Sequence, residues 1–89
     1  MKLEVTESFT ERIATAVLVA HIPEGLFILE FLRPRVTVIA DNSGSIKGFK
    51  GELKSDVRIY LSPITVKKLL RALEKQIRNY EEKFGKIPF

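Results

Sequence analysis

The stretch that decides the fold is Ser62–Gly85, SPITVKKLLRALEKQIRNYEEKFG. It opens on a hydroxyl suited to an N-cap and a proline at the first helical position, where a missing N–H costs nothing. It closes on a glycine, with Pro88 three residues beyond. Between them Val66, Leu70, Leu73, Ile77, Tyr80 and Phe84 recur at alternating spacings of four and three, with Leu69 alongside. At about 100° per residue these side chains form one apolar stripe. The expected element is a single helix over residues 63–84, about 33 Å long. Such a stripe either lies on the chain's own sheet, which is the plainer expectation, or packs against a second helix, which the strict alternation also suits. In the second case Leu69, Leu73, Ile77, Tyr80 and Phe84 are the expected dimer interface.

Upstream the periodicity changes. Ile13–Ile22 is rich in β-branched residues and breaks at Pro23-Glu24-Gly25, and Leu26–Leu32 follows, which together read as a β-hairpin. Arg33-Pro34-Arg35 is expected to interrupt the strands, because proline donates nothing to a ladder. Val36–Ala40 reads as a strand, Asp41-Asn42-Ser43-Gly44 as a turn, Ser45–Phe49 as a returning strand weakened by Gly48 and Gly51, and Val57–Leu61 as a strand with clean alternation. Lys2–Val5 is a candidate first strand. The expected fold is α+β: one domain over residues 1–89, an antiparallel sheet of four to five strands within residues 2–61, then one long C-terminal helix. Both faces of the hairpin are largely apolar, the pattern of strands covered on both sides. One helix covers one face, so a homodimer is the economical way to cover the other. The alternative has the Arg33-Pro34-Arg35 interruption and residues 41–56 fold over it.

The 89 residues contain no Cys and one His, which leaves no disulfide framework and no thiolate chemistry and favours a cytoplasmic protein. No run approaches a membrane span, and the start has no signal-peptide core. Asn, Gln, Met and Cys number four in all, a thermophile-like balance. Charge is unevenly placed. Four cations against six anions up to Gly44 leave −2, whereas eleven against five from Ser45 onward leave +6, within a total of +4. An anionic partner is therefore expected at the second half.

Two features there fit such a partner. On the helix, Lys67, Lys68, Arg71, Lys75 and Arg78 fall within an arc of about 100° beside the apolar stripe. That arc is either a solvated face with intrahelical pairs such as Glu74–Arg78, or a surface for phosphates. The lysines sit near the helix N-terminus and Glu81 and Glu82 near its C-terminus, the unfavourable sense for the helix dipole. In the preceding segment, Lys47-Gly48-Phe49-Lys50-Gly51 with Lys54 and Arg58 interleaves cations and an aromatic ring. Exposed, Phe49 stacks on a base while the cations meet phosphates; the plainer alternative tucks Phe49 into the core. The Gly48–Gly51 spacing is that of a KH-domain loop, but here the flanks read as strands.

No chemistry of catalysis appears. His21 ends an apolar strand with neither a nucleophile nor an orienting carboxylate, Glu81 and Glu82 diverge on the helix, and residues 41–45 lack the ending of a phosphate-cradling loop. An enzyme, a metal site, a cofactor and a small-molecule substrate are not expected.

The hairpin phrase Glu24–Phe31, the run Arg58–Pro63 followed by Val66–Leu73, and the ending Tyr80–Ile87 resemble an uncharacterised prokaryotic family described as domain of unknown function 3467. The likeness covers residues 12–34 and 57–87; residues 35–56 look longer than the family's usual connection. It implies a small strands-then-helix protein of bacteria or archaea and supplies no catalytic residues. The function expected from residues and resemblance together is a non-enzymatic homodimeric module that binds nucleic acid or a ribonucleoprotein. The alternative is a protein–protein adaptor using an apolar sheet face.

Overall fold

Two turns of the same build organise the strands. In the computed structural model, which describes Met1–Phe89, the Gly25 N–H donates to the Ile22 carbonyl at 2.9 Å, and the Ile22 N–H donates to the Leu26 carbonyl at 2.9 Å. At the second turn the Gly44 N–H donates to the Asp41 carbonyl at 3.2 Å and the Asp41 N–H to the Ser45 carbonyl at 2.9 Å. Gly25 and Gly44 have φ of 89° and 86°. Each turn is a three-residue hairpin loop with a glycine in the left-handed region at its end, a position that costs a side chain about 1 kcal/mol or more. Asp41 reinforces the second turn: its Oδ1 accepts from the backbone N–H of Ser43 at 2.9 Å and of Ser45 at 3.0 Å, and from the Ser43 hydroxyl.

These turns join β1 (Ala16–His21), β2 (Phe27–Ala40) and β3 (Ile46–Leu61) into a three-stranded antiparallel sheet of order β1-β2-β3, followed by the helix α1 (Pro63–Phe84). The α+β order is as expected; the count of four to five strands is corrected to three. Lys2–Val5 forms no strand, and the first strand begins at Ala16 rather than Ile13. The two presumed breaks in the ribbon do not break it. β2 runs straight through Arg33-Pro34-Arg35, and β3 absorbs Gly48 and Gly51 in one strand of 16 residues.

Proline is tolerated for a geometric reason. The Thr15 N–H donates to the Leu32 carbonyl at 3.0 Å, so the polar groups of Leu32 point to the β1 side. Backbone polar groups alternate along a strand, so Arg33 points to β3 and Pro34 again to the side where β1 has ended. The missing N–H of Pro34 lies on an open edge and removes no ladder bond.

The chain divides into two compact units, one of Met1–Val17 with Glu30–Val57, the other of Leu18–Leu29 with Arg58–Phe89. The first contains the one residue shielded from solvent, Leu32, at 8% exposure. The second contains α1. Its start is capped by Ser62, whose Oγ accepts from the Thr65 N–H at 3.2 Å, and its end by the Gly85 N–H donating to the Glu81 carbonyl at 2.9 Å. No residue of α1 is buried. Leu70, Leu73, Ile77, Tyr80 and Phe84 remain 46–66% exposed, with only Val66 and Leu69 half-buried on the apolar side. The expectation that the stripe is buried on the chain's own sheet is thus corrected: within its own unit most of it stays about half exposed.

The second turn gives a pH-dependent contribution whose sign is fixed by its hydrogen bonds. The Ser43 hydroxyl, followed by the backbone N–H of Ser45, lowers the Asp41 pKa below its ordinary value. A depressed carboxylate contributes stability that is present above its unfolded pKa of about 3.9 and is lost as pH falls through the folded value. The carboxyl carbon of Asp41 is therefore expected to titrate below the ordinary aspartate value. Ser43→Ala should move its midpoint upward; an unchanged midpoint in that variant would contradict the assignment.

Candidate nucleic-acid interface and the basic cleft

The ten cationic and aromatic positions expected to face nucleic acid fall into two sets, one in each unit. Lys47, Phe49, Lys50 and Lys54 lie on β3 in the first unit. Arg58, at the end of β3, and the helical residues Lys67, Lys68, Arg71, Lys75 and Arg78 lie in the second.

In the first set the alternative of a tucked Phe49 is corrected: its side chain is 68% exposed. Gly48 and Gly51 flank it in extended backbone within β3, which also removes the likeness to a KH loop, since no helix adjoins them. Lys47 and Lys50 are exposed. Lys54 pairs with Glu52, Nζ to Oε2 at 3.1 Å.

In the second set all five helical cations are exposed and none has an ion-pair partner. The expected pair between Glu74 and Arg78 does not form, so the arc is not neutralised along the helix. The carboxylate at the wrong end of the dipole has a local reason. Glu81 Oε2 accepts from the Ile87 N–H at 2.9 Å and ties down the segment after the helix. On the apolar stripe the rings of Tyr80 and Phe84 meet at 4.9 Å between centroids, and Lys83 Nζ sits 5.4 Å over the Phe84 ring. His21, the last residue of β1, is exposed with its ring centroid 6.0 Å from that of Phe27.

The first unit also holds a cleft of about 420 Å³, lined by Arg33, Pro34 and Arg35 of β2 and Lys54, Ser55 and Asp56 of β3. Asp56 is its anchor, with a side chain only 15% exposed. Its Oδ1 lies 3.3 Å from Arg33 Nη2 and its Oδ2 3.4 Å from Arg12 Nε. That second oxygen is shielded from solvent and accepts no hydrogen bond, so the Arg12 guanidinium beside it is its compensation. Arg35 has no ion-pair partner. Lys54 was legible as a site residue; Arg33, Arg35 and Asp56 were not. They stand some 20 residues apart in sequence, and only the hairpin through Asp41–Ser45 brings them together. The available signal was the spacing itself: Arg-Pro-Arg and Lys-Ser-Asp lie on either side of a tight turn.

The family model described as a protein of unknown function, DUF3467, matches residues 3–88. The chain belongs to that family. The DUF3467 match takes in the β2–β3 ribbon, including residues 35–56, which the resemblance placed outside its two blocks. No curated protein and no solved structure matches the chain. No helix of this DUF3467 protein is long and apolar enough to cross a membrane.

Proposed function

We propose that the protein is a non-enzymatic binding module that acts as a homodimer and holds nucleic acid through the basic residues of its second half. The observation that carries this reading is α1: it has a continuous apolar stripe and no buried residue, and beside the stripe it has five cations without partners. The stripe needs cover. A second copy supplies an identical stripe, and an isologous interface pairs Leu73 and Ile77 of one helix with their counterparts. The cation arc then flanks the interface twice, once per copy, on surface that stays wet. Exposed Phe49, set among Lys47, Lys50 and Lys54, fits stacking on an unpaired base with phosphates to either side.

The test is binding of a mixed single-stranded oligonucleotide by the full chain. At about 50 mM salt it should bind, and affinity should fall steeply as salt rises, because each phosphate contact releases counterions. Arg71→Gln with Lys75→Gln should reduce the slope of log affinity against log salt by about 2. Absence of binding at low salt, or binding that salt leaves unchanged, would overturn the nucleic-acid part. A second reading, a protein–protein adaptor, is favoured by the exposed Val17, Leu18 and Val19 of β1. It is the reading left standing if the chain has a monomeric mass and binds no oligonucleotide.

A further inference from the structure

We propose that the cleft between Arg33-Pro34-Arg35 and Lys54-Ser55-Asp56 is a binding site for a phosphate group, with Arg35 as its principal ligand. The cations Arg12, Arg33, Arg35 and Lys54 gather with only two carboxylates, Asp56 and Glu52, paired among them. The excess of two positive charges matches a phosphate dianion. The arrangement is also held in place before any ligand arrives. Asp56 fixes the Nη2 end of Arg33, and a guanidinium has five N–H donors, so the rest of the fork remains available. Arg35 is two residues along the same strand, on the same face, and uncommitted. Two planar forks beside each other match the oxygens of a phosphate bidentately, and Ser55 adds a hydroxyl at the wall. A volume of about 420 Å³ takes a phosphate together with the group it esterifies.

Pro34 contributes by what it lacks. A β-branched or long side chain and an N–H would be usual between two strand arginines; the pyrrolidine ring leaves the segment rigid, with φ fixed. The donors of the cleft sit on β2 and β3 rather than on a loop, which keeps their spacing constant.

The phosphate has two possible sources, a free phosphate or phosphomonoester and the backbone of a nucleic acid, and the site stands independently of the nucleic-acid reading above. The experiment is titration of the isotopically labelled full chain, followed by the Nε–H signals of its arginines. Inorganic phosphate is added at constant ionic strength against chloride, and the mixed oligonucleotide in a separate arm. Saturable shifts of Arg33 and Arg35 in inorganic phosphate, with Arg71 and Arg78 unmoved, support the site. Arg35→Gln should weaken phosphate binding about tenfold, the loss of one charge-assisted pair of hydrogen bonds. Because Arg35 has no partner in the folded chain, that variant should keep the wild-type spectrum elsewhere. Uniform, unsaturated shifts of all arginines, or an Arg35→Gln variant with wild-type phosphate affinity, overturn the proposal. If inorganic phosphate moves the cleft and the oligonucleotide does not bind at all, the cleft stands and the nucleic-acid reading fails. If the oligonucleotide binds Arg35→Gln as it binds the wild type and phosphate leaves the cleft unmoved, the cleft fails and that reading survives.

Discussion

In the proposed homodimer, Leu73→Asp is expected to halve the mass in solution, from twice 10.1 kDa to 10.1 kDa by light scattering at micromolar concentration. Leu73 sits mid-stripe on α1, half exposed in the single chain, with Ile77 and Tyr80 a turn and two turns further on. Covered by a second helix, it loses contact with water on that side, and the leucine contributes about 1.5–3 kcal/mol of burial. A carboxylate buried at the same place adds a desolvation cost of several kcal/mol. In a two-fold interface the substitution occurs twice. The combined effect is a dissociation constant raised by at least about a thousandfold. The same reading requires the wild-type melting temperature to rise with protein concentration, since association stabilises only the folded chain. A wild-type chain of monomeric mass, or a Leu73→Asp chain that still associates, would remove the helix face from the interface.

The second large effect is expected at Leu32. It is the one residue held away from solvent, on β2 where the Thr15 N–H reaches its carbonyl. Leu→Ala at a buried site costs about 2–5 kcal/mol, because contacts are lost and the cavity collapses only in part. In a domain of this size each kcal/mol corresponds to roughly 4–8 °C, so the melting temperature should fall by about 8 °C or more. Leu53, on β3 and well exposed, is the control: Leu53→Ala should stay within about 0.5 kcal/mol of the wild type. Equal effects at the two positions would mean that residues around Leu32 do not form the packed centre of that unit.

The helix was legible to its last residue because its signals are local. Ser62, Pro63 and Gly85 act on backbone groups within a turn of themselves, and the spacing of the stripe needs only the pitch of a helix. Both hairpin turns were legible for the same reason. The strands were not, because a strand break depends on which neighbour is present. Pro34 reads as an interruption in sequence, and becomes harmless only where β1 has already ended. Gly48 and Gly51 read as weak points, and continue because β2 pairs along the ribbon. The basic arc on α1 was visible in sequence, but the failure of Glu74 to neutralise Arg78 was not. The cleft was invisible because its residues share no periodicity; only pairing across the Asp41–Ser45 turn gives Arg33 and Asp56 a common neighbourhood.

The open edge of β2 beyond Leu32 has one more implication. An uncovered strand edge is a template on which another chain can add its own backbone, the route by which sheets grow into aggregates. Pro34 removes the donor that such an addition would use, and Arg35 sets an unpaired positive charge beside it. Along that segment an approaching identical strand meets a gap in the ladder and like charge. The residue that looks in sequence like a flaw in the sheet acts as a stop against fibre-like growth.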